Sequence, residues 1–284
     1  MKRLFSLSCA LLAAVSLLAQ GRVSTRKYIL NDFTDKVTQV VLTGNEVLDS
    51  ELRQSVVDAW TSSPFEFCTP ERFESLKTQD RYYFLLTAES RFKGEENPGI
   101  TFLTLVKGGA EATEGVGAMT EVISLPFTSA HGGSGRELVY LSTLVQTVQS
   151  FTLAAMESEK VAYGMEAWVN KNFEKNGKMK QIFLAREDLS ATVQEKDLER
   201  YVDEDFHITD TSEEADQAYL DGTYNTLVGY VVPPLIPENG ASYCYKLLFE
   251  AHSRELYYIH KHKITEKTGV GFTADDLKRL AKKR

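Results

Sequence analysis

The sequence predicts an α/β (α+β) fold of two tandem β-α-β-α-β-β domains with mixed sheets, joined by a long helical segment. The first observation is an internal repeat, in which three pairs of like residues are each 141 positions apart: Phe65 and Phe206, Tyr83 and Tyr224, and Gly99 and Gly240. The second is that short apolar stretches and helix-like stretches recur in the same order within each copy. A repeat of this kind defines the architecture before any chemistry is considered.

The first repeat spans residues 37–130, after a polar lead-in at 20–36. Its opening strand is the apolar stretch Val37 to Leu42. Leu52 to Trp60 follows with the three-and-four spacing of a helix that buries one face, on which we place Val57 beside Val56. Thr69 and Pro70 then predict a second helix, because a hydroxyl cap precedes a proline at the first helical position.

The second half of this repeat is rich in β-branched and aromatic residues. Tyr82 to Ser90 and Ile100 to Lys107 predict a hairpin, and Glu121 to Leu125 predicts a fourth strand. The glycine-containing segment from Gly108 to Met119 predicts a flexible loop between them.

A helical connector occupies residues 131–177. An apolar stripe runs from Arg136 to about Asn172, and a charged interval leaves open either one long helix or two helices broken near Ser158. Asn176 and Gly177 predict its end through a left-handed cap.

The second repeat covers residues 178–268, and a basic amphipathic helix at 269–284 follows it. Capping-box spacing at Thr192…Glu195 and Thr211…Glu214 predicts two helix starts. Thr273 and Asp275 predict the cap of the terminal helix.

Residues 1–19 have the features of an export signal. Lys2 and Arg3 precede the apolar run Leu4 to Leu18, and Ala19 offers a small-residue cleavage position. We therefore expect a periplasmic or secreted protein. Cleavage would move the net charge of the chain from −8 to −10.

The acidic balance argues against nucleic acid and anionic lipid as partners. No apolar stretch after the signal predicts a transmembrane segment. Cys68 and Cys244 remain after cleavage, and the sequence allows either a disulfide or two buried free thiols, of which we favour the thiols.

Two motifs resemble a known type of domain. They are Phe65 to Phe73 and Arg81 to Ala88, and Gly222 to Gly229 resembles the second of them again. The pattern is similar to the small α/β domain of the curli-secretion lipoprotein, of the lipoprotein activators of peptidoglycan synthases and of the N-terminus of the TolB family. The whole chain also resembles an uncharacterised group of exported proteins from Gram-negative anaerobes. This resemblance implies an envelope protein that binds other proteins or assembles, and it supplies no catalytic residue.

The segment between the first repeat and the connector is the candidate ligand site: His131, Gly132, Gly133, Ser134 and Arg136. Backbone N–H groups of such a loop at a helix start can hold an anion, with Arg136 as its charge partner. Ser134 and His131 also suggest a nucleophile and base, although the spacing differs from a nucleophile elbow. The alternative is a plain turning loop.

His260 and His262 lie two apart on a strand and share a face, as metal ligands can. Because no carboxylate or cysteine cluster stands near them in the sequence, we favour a solvated strand. Cys244 and His252 form a similarly weak pair. We predict no metal and no cofactor.

The candidate partner-binding segment is the tip of the second hairpin: Pro233, Pro234, Leu235, Ile236 and Pro237. The prolines stiffen the tip, so that Leu235 and Ile236 would lose little entropy on docking. The alternative is that both aliphatic residues fold back on the neighbouring lobe.

These observations predict a non-enzymatic envelope protein that acts in protein interaction or assembly, with another envelope protein as its partner and oligomerisation possible. The alternative is a periplasmic small-molecule binder or hydrolase with a site near His131 to Arg136.

Overall fold

The computed structural model describes residues 22–23 and 30–281. The predicted signal peptide and the last three residues of the predicted basic helix lie outside these ranges. The strands are β1 (Arg22–Val23), β2 (Val37–Val41), β3 (Phe65–Cys68), β4 (Tyr82–Ser90), β5 (Ile100–Lys107), β6 (Thr120–Ser129), β7 (Gln181–Ala185), β8 (Phe206–Thr209), β9 (Thr226–Val232), β10 (Tyr243–Glu250) and β11 (Glu255–Lys263). The α-helices are α1 (Glu46–Ala59), α2 (Pro70–Leu76), α3 (Leu141–Glu157), α4 (Glu159–Ala162), α5 (Met165–Asn176), α6 (Glu195–Tyr201), α7 (Ser212–Leu220) and α8 (Ala274–Leu280).

The predicted α/β fold with two mixed sheets is confirmed. The sheet of the first repeat has the order β1-β6-β5-β4-β2-β3, and that of the second has the order β11-β10-β9-β7-β8. In both repeats the first strand (β2 or β7) lies between the second (β3 or β8) and the third (β4 or β9) and is parallel to both. The fourth strand (β5 or β10) pairs antiparallel with the third, and the fifth (β6 or β11) pairs antiparallel with the fourth. The two repeats therefore have the same topology. We call residues 30–130 lobe 1 and residues 178–281 lobe 2.

The constant offset of 141 residues is wrong in detail. Thr38 pairs with both Phe65 and Tyr83, whereas Ile182 pairs with Phe206 and Leu227. Tyr83 therefore corresponds to Leu227, and Tyr224 lies exposed in the turn before β9. Ladder hydrogen bonds fix the register of a strand, so identical residue types at equal spacing need not occupy equivalent positions.

The lobes turn opposite faces toward one shared core. Helix α1 packs into this core from lobe 1 through Leu52 and Val56, but in lobe 2 the second helix, α7, does so through Ala215 and Tyr219. Each lobe keeps a smaller apolar cluster on its other face. In lobe 1, α2 and the segment 108–119 cover that face, and in lobe 2 the cover is α6 and the C-terminal segment.

The segment 108–119, predicted as a flexible loop, contains two short 3₁₀ turns. Ala112, Val116 and Met119 from this segment are buried against the second cluster of lobe 1. The predicted fourth strand is confirmed and runs further, as β6.

The helical connector breaks at Ser158, where the two-helix alternative placed the break, and a second time at Gly164 between α4 and α5, so that it contains three helices rather than two. Ser158 has extended backbone angles between α3 and α4. Gly177 does not form the predicted left-handed cap, because its φ is −62° and the chain continues as a 3₁₀ turn. A glycine is nevertheless required there, since a Cβ would lie 2.2 Å from a ring carbon of Phe173.

One stretch in the described part of the chain, Arg136–Glu157, is long and apolar enough by composition to cross a membrane. Of its most apolar window, 61% is buried inside the protein. It packs against α1, β6 and β11, so its apolar stripe is part of the shared core.

Several predicted helix starts are confirmed and others shift. Thr69 and Thr211 accept the capping hydrogen bonds predicted for them. Four details were wrong. α1 begins at Glu46 after an Asn45 cap, and it leaves Val57 exposed. Gln194 rather than Thr192 caps α6, and Asp276 rather than Asp275 completes the box with Thr273.

Cys68 and Cys244 are both buried and free, which confirms the thiol alternative. Burial raises the pKa of each thiol to about 11, so both stay protonated and inert at neutral pH.

Candidate functional site

The two segments singled out in the sequence meet in space. Gly132, Gly133, Ser134 and Arg136 of the loop line the same cleft, of about 870 Å³, as Pro233 and Leu235 of the segment Pro233 to Pro237, here called the proline bridge. His131 and Ile236 line a smaller cleft beside it. Ser129, at the end of β6, donates a hydrogen bond of 2.6 Å from its hydroxyl to the carbonyl oxygen of Pro233. The cleft lies outside the carboxyl ends of β6, β7 and β9, which is where open α/β sheets place their ligand sites.

Arg136 is buried at the floor of this cleft, with 13% of its side chain exposed. Its Nε lies 2.7 Å from Oδ2 of Asp216, its Nη1 lies 2.7 Å from Oδ2 of Asp188, and its Nη2 donates to the carbonyl oxygen of Gly229. Burial alone would lower the pKa of Arg136, but the hydrogen bonds and charges of Asp216 and Asp188 raise it overall. The guanidinium is therefore occupied by the protein itself, and this geometry does not favour the predicted role as anion partner.

The carboxylates around Arg136 make the cleft acidic. Burial raises the pKa of Asp188 to about 6, although the charge of Arg136 opposes this. Asp216 also accepts a short hydrogen bond from the hydroxyl of Tyr140. Since Glu187 and Glu213 line the same cleft, carboxylates outnumber the single guanidinium, and the site suits a cationic group.

Ser134 and His131 have separate partners. The hydroxyl of Ser134 donates to Glu137 at 3.4 Å, and Nδ1 of His131 lies 3.4 Å from Oε1 of Glu89. Glu137 is buried so close to the loop that a Cβ on Gly133 would lie 1.8 Å from its Oε1. The loop thus turns tightly over a carboxylate, and it does not assemble the nucleophile and base that the sequence suggested.

The proline bridge combines the two alternatives drawn from the sequence. The ring of Pro234 packs on lobe 1, because a Cβ on Gly99 would lie 2.9 Å from Cβ of Pro234. Glu238, just beyond the bridge, accepts a hydrogen bond of 2.8 Å from the backbone N–H of Glu96. Leu235 and Ile236 nevertheless remain 61% and 81% exposed.

A second polar cluster lies in lobe 2, where the sequence suggested a histidine pair. Nδ1 of His260 lies 2.9 Å from Asp276, and His262 contacts the amine of Lys246 and the carbonyl oxygen of Gly269. The amine of Lys246 lies 3.1 Å from Oδ2 of Asp276, and both residues are almost wholly buried. The two imidazoles are thus held by a lysine and an aspartate, and no group of three metal-binding side chains occurs among the described residues.

The charges of this cluster are shifted by their surroundings. Burial lowers the pKa of Lys246, although the charge of Asp276 opposes it. Burial would raise the pKa of Asp276, but its hydrogen bond with His260 and the charge of Lys246 hold it well below the usual range. The cluster fastens α8 to β10 and β11.

Sequence reasoning missed Asp188, Asp216, Lys246 and Asp276. One signal was present: Lys246 is the only charged residue within Tyr243 to Phe249, a stretch that otherwise predicts a buried strand. A lysine in such a stretch indicates a buried partner carboxylate.

Cys244 and His252 do not meet. Cys244 accepts from the backbone N–H of Gly271 at 3.3 Å, whereas the ring of His252 lies over Tyr224.

Comparison of the chain with protein-family models, with curated proteins and with solved structures finds no match in any of the three. The likeness to the envelope α/β domains therefore stays a prediction from the sequence motifs.

Proposed function

We propose that the chain is an exported, non-enzymatic protein of the cell envelope that acts as an interaction or assembly component. The observation that carries this proposal is the pair of exposed aliphatic side chains, Leu235 and Ile236, on the proline bridge. Prolines restrict the backbone before any partner binds, and the packing of Pro234 on lobe 1 holds the bridge in place. A partner that docks on the bridge therefore causes little further loss of conformational entropy in the chain, and this smaller loss raises the affinity of a small apolar surface.

The charge beside the bridge indicates the kind of partner. Leu235 lines the acidic cleft on one side and a smaller cleft with Glu95, Glu96 and Glu238 on the other. A protein segment that pairs aliphatic residues with lysine or arginine complements both features. The predicted resemblance to envelope assembly domains supports the same class of function.

The alternative is a small-molecule binder in the cleft. Its position at the carboxyl ends of the strands favours it, and its carboxylates would select a cationic compound. A hydrolase is less well supported, because Ser134 has a carboxylate rather than an imidazole beside it.

Site-specific photo-crosslinking in cells tests the proposal. We expect a crosslinker at position 236 to give a discrete adduct in the envelope fraction, and the same crosslinker at Val57 to give none. Val57 is a matched control because it is 59% exposed but lies on α1 and lines neither of the two clefts beside the bridge. Equal adducts at both positions, or none at 236, would argue against the proposal. Fractionation and the mass of the mature N-terminus test export.

Charge variants separate the two functions. Glu213→Gln should weaken the adduct formed by a crosslinker at position 236, because it removes charge from the cleft. In the chain without a crosslinker, Ile236→Ser should abolish co-purification of the partner. A small cationic ligand would instead depend on Glu213 and not on Ile236.

A further inference from the structure

The smaller cleft beside the proline bridge has a volume of about 520 Å³ and shares Leu235 with the larger one. One wall is the tip of the hairpin between β4 and β5 in lobe 1, from Glu95 to Gly99. The opposite wall includes Ile236 and Glu238 from lobe 2. Its lining contains three carboxylate side chains, and none of the described residues that line it is a lysine or an arginine.

These three carboxylates have no cation of their own. Within the described residues, none of them takes part in an ion pair. Arg91 and Lys93 lie on the same hairpin tip but outside the lining, and Arg91 reaches only the carbonyl oxygen of Glu96, at 3.5 Å. His131, which also lines the smaller cleft, already has a carboxylate partner at 3.4 Å. The larger cleft differs, because Arg136 pairs with its buried aspartates.

Glu95 is the buried member of the three, with 6% of the residue exposed. Its Oε2 accepts a hydrogen bond of 2.7 Å from the backbone N–H of Phe92. Its Oε1 has no hydrogen bond within the described residues and lies over Gly99, where a Cβ would come within 3.0 Å of it. Unlike four other unpaired polar atoms in the described part of the chain, Oε1 keeps some solvent-accessible surface, so a ligand can reach it. A buried carboxylate with a free oxygen is stabilised by a cation that enters the cleft.

Four apolar side chains also line the smaller cleft: Pro98, Ala130, Leu235 and Ile236. The aliphatic stem of a lysine or arginine can lie along such side chains while its charged head reaches a carboxylate. No group of three metal-binding side chains is placed to hold a metal ion in the part of the chain that the structure describes. The cleft therefore suits an organic cation on an apolar stem.

We propose that the smaller cleft receives one arginine or lysine side chain of the protein that docks on the proline bridge. Its charged head would pair with Oε1 of Glu95, with the more exposed Glu96 and Glu238 beside it. Its stem would lie against Leu235 and Ile236. This assignment rests on the proposed function, because it gives the basic side chain to the partner. It requires a basic residue in the partner next to the aliphatic contact with the bridge.

Methyl NMR of the full chain tests the cleft with four probes: the N-acetyl methylamides of arginine, lysine and citrulline, and free arginine. We expect at least one of the capped basic residues to shift the methyl signal of Ile236 with a Kd on the order of 1 mM. Capped citrulline, which has the shape of arginine without its charge, should bind about tenfold more weakly, because hydrogen bonds between charged groups are the stronger kind.

Two results of this titration overturn the proposal. One is equal affinity for the capped basic residues and for citrulline, or no shift of Ile236 by any probe at about 20 mM. The other is free arginine that binds about tenfold more tightly than the capped residue, since the cleft would then serve a free amino acid rather than a side chain of a partner.

Glu95→Gln identifies the carboxylate that holds the cation. The amide oxygen can still accept from Phe92, so the melting temperature should change by less than about 2 °C, while the capped basic residue binds about tenfold more weakly. Glu66→Gln is the matched control, because it removes the same charge from lobe 1 but lies outside both clefts. Glu238→Gln is a second variant and should weaken binding about threefold. Equal affinities for Glu95→Gln and Glu66→Gln overturn the proposal.

The crosslinker at position 236 separates this proposal from the function on which it rests. A lower yield of adduct in Glu95→Gln, with an unchanged yield in Glu66→Gln, supports a basic side chain of the partner in the smaller cleft. An adduct of unchanged yield in Glu95→Gln overturns that assignment and leaves the proposed function in place. No adduct at all in the native chain overturns both the proposed function and the assignment of the basic side chain to a partner.

Discussion

Lobe 1 and lobe 2 have the same strand order, yet each buries a different face of its sheet in the shared core. The ladders make Leu103 of β5 the counterpart of Lys246 of β10, because Tyr83 pairs with Lys107 where Leu227 pairs with Glu250. Leu103 lies in the shared core, whereas Lys246 lies on the outer face under the C-terminal segment. A duplicated topology thus fixes the order of the strands, and the covering segments decide which face becomes apolar.

The largest effect is expected from transferring the polar residue to the other lobe. Leu103→Lys would place an ammonium in the shared core, where the ladder neighbours of Leu103 are Thr87 and Leu125, and we expect a loss of about 4 kcal/mol or more in the free energy of unfolding. Leu103→Met controls for the change of shape, and should cost less than about 1.5 kcal/mol. Denaturant unfolding measures both, and a small loss for lysine would mean that the two faces are interchangeable.

Lys246 in its own lobe depends on Asp276. Asp276→Ala should lower the free energy of unfolding by about 3–5 kcal/mol, because it leaves a fully buried ammonium without its carboxylate. The double variant Lys246→Met/Asp276→Ala should recover most of that loss, since an apolar pair carries no charge to desolvate. If the double variant were as unstable as the single one, the cap on α8 rather than the ion pair would be the stabilising feature.

The Arg136 network allows a comparison of buried and half-exposed ion pairs. Arg136→Met should cost about 3 kcal/mol, because Asp188 and Asp216 would stay buried without a cation. Lys107→Met is the matched change in lobe 1, where the partner Asp32 is 36% exposed and solvent screens the pair. We expect that loss to be about 1 kcal/mol or less, and equal losses would contradict the distinction.

The pH dependence of stability should identify Asp188. Its pKa is raised in the folded state, from 3.8 to about 6, so folding favours the protonated form. The corresponding stability is fully present below about pH 4 and is lost as the pH rises to about 6. Asp188→Asn cannot ionise, and its difference in unfolding free energy from the native chain should therefore change over this window and stay constant above it. A constant difference from pH 4 to pH 6 would exclude Asp188 as the titrating group.

The sequence predicted what depends on local pattern. The order of helices and strands along the chain and the hydroxyl caps at Thr69 and Thr211 follow from periodicity and capping chemistry. The charged interval located the break at Ser158 as one of two alternatives. It did not predict the partners of Arg136, which lie 52 and 80 residues away, because nothing local distinguishes a buried aspartate from a solvated one. The sequence also did not predict which face of each sheet is buried in the shared core, because that depends on covering segments that lie later in the chain.

The smallest effect on stability is expected at the proline bridge, where the lobes meet. Leu235→Ser and Ile236→Ser should each change the free energy of unfolding by less than about 0.5 kcal/mol, because both side chains are already exposed. The buried Tyr230, whose hydroxyl donates to the carbonyl oxygen of Phe127, provides the contrast: Tyr230→Ser removes a buried ring that joins the lobes and should cost about 3–5 kcal/mol. A large loss for the bridge variants would mean that Leu235 and Ile236 stabilise the contact between lobes. A negligible loss is the result that the proposed partner surface requires, because Leu235 and Ile236 would then be free to contact a partner without a role in stability.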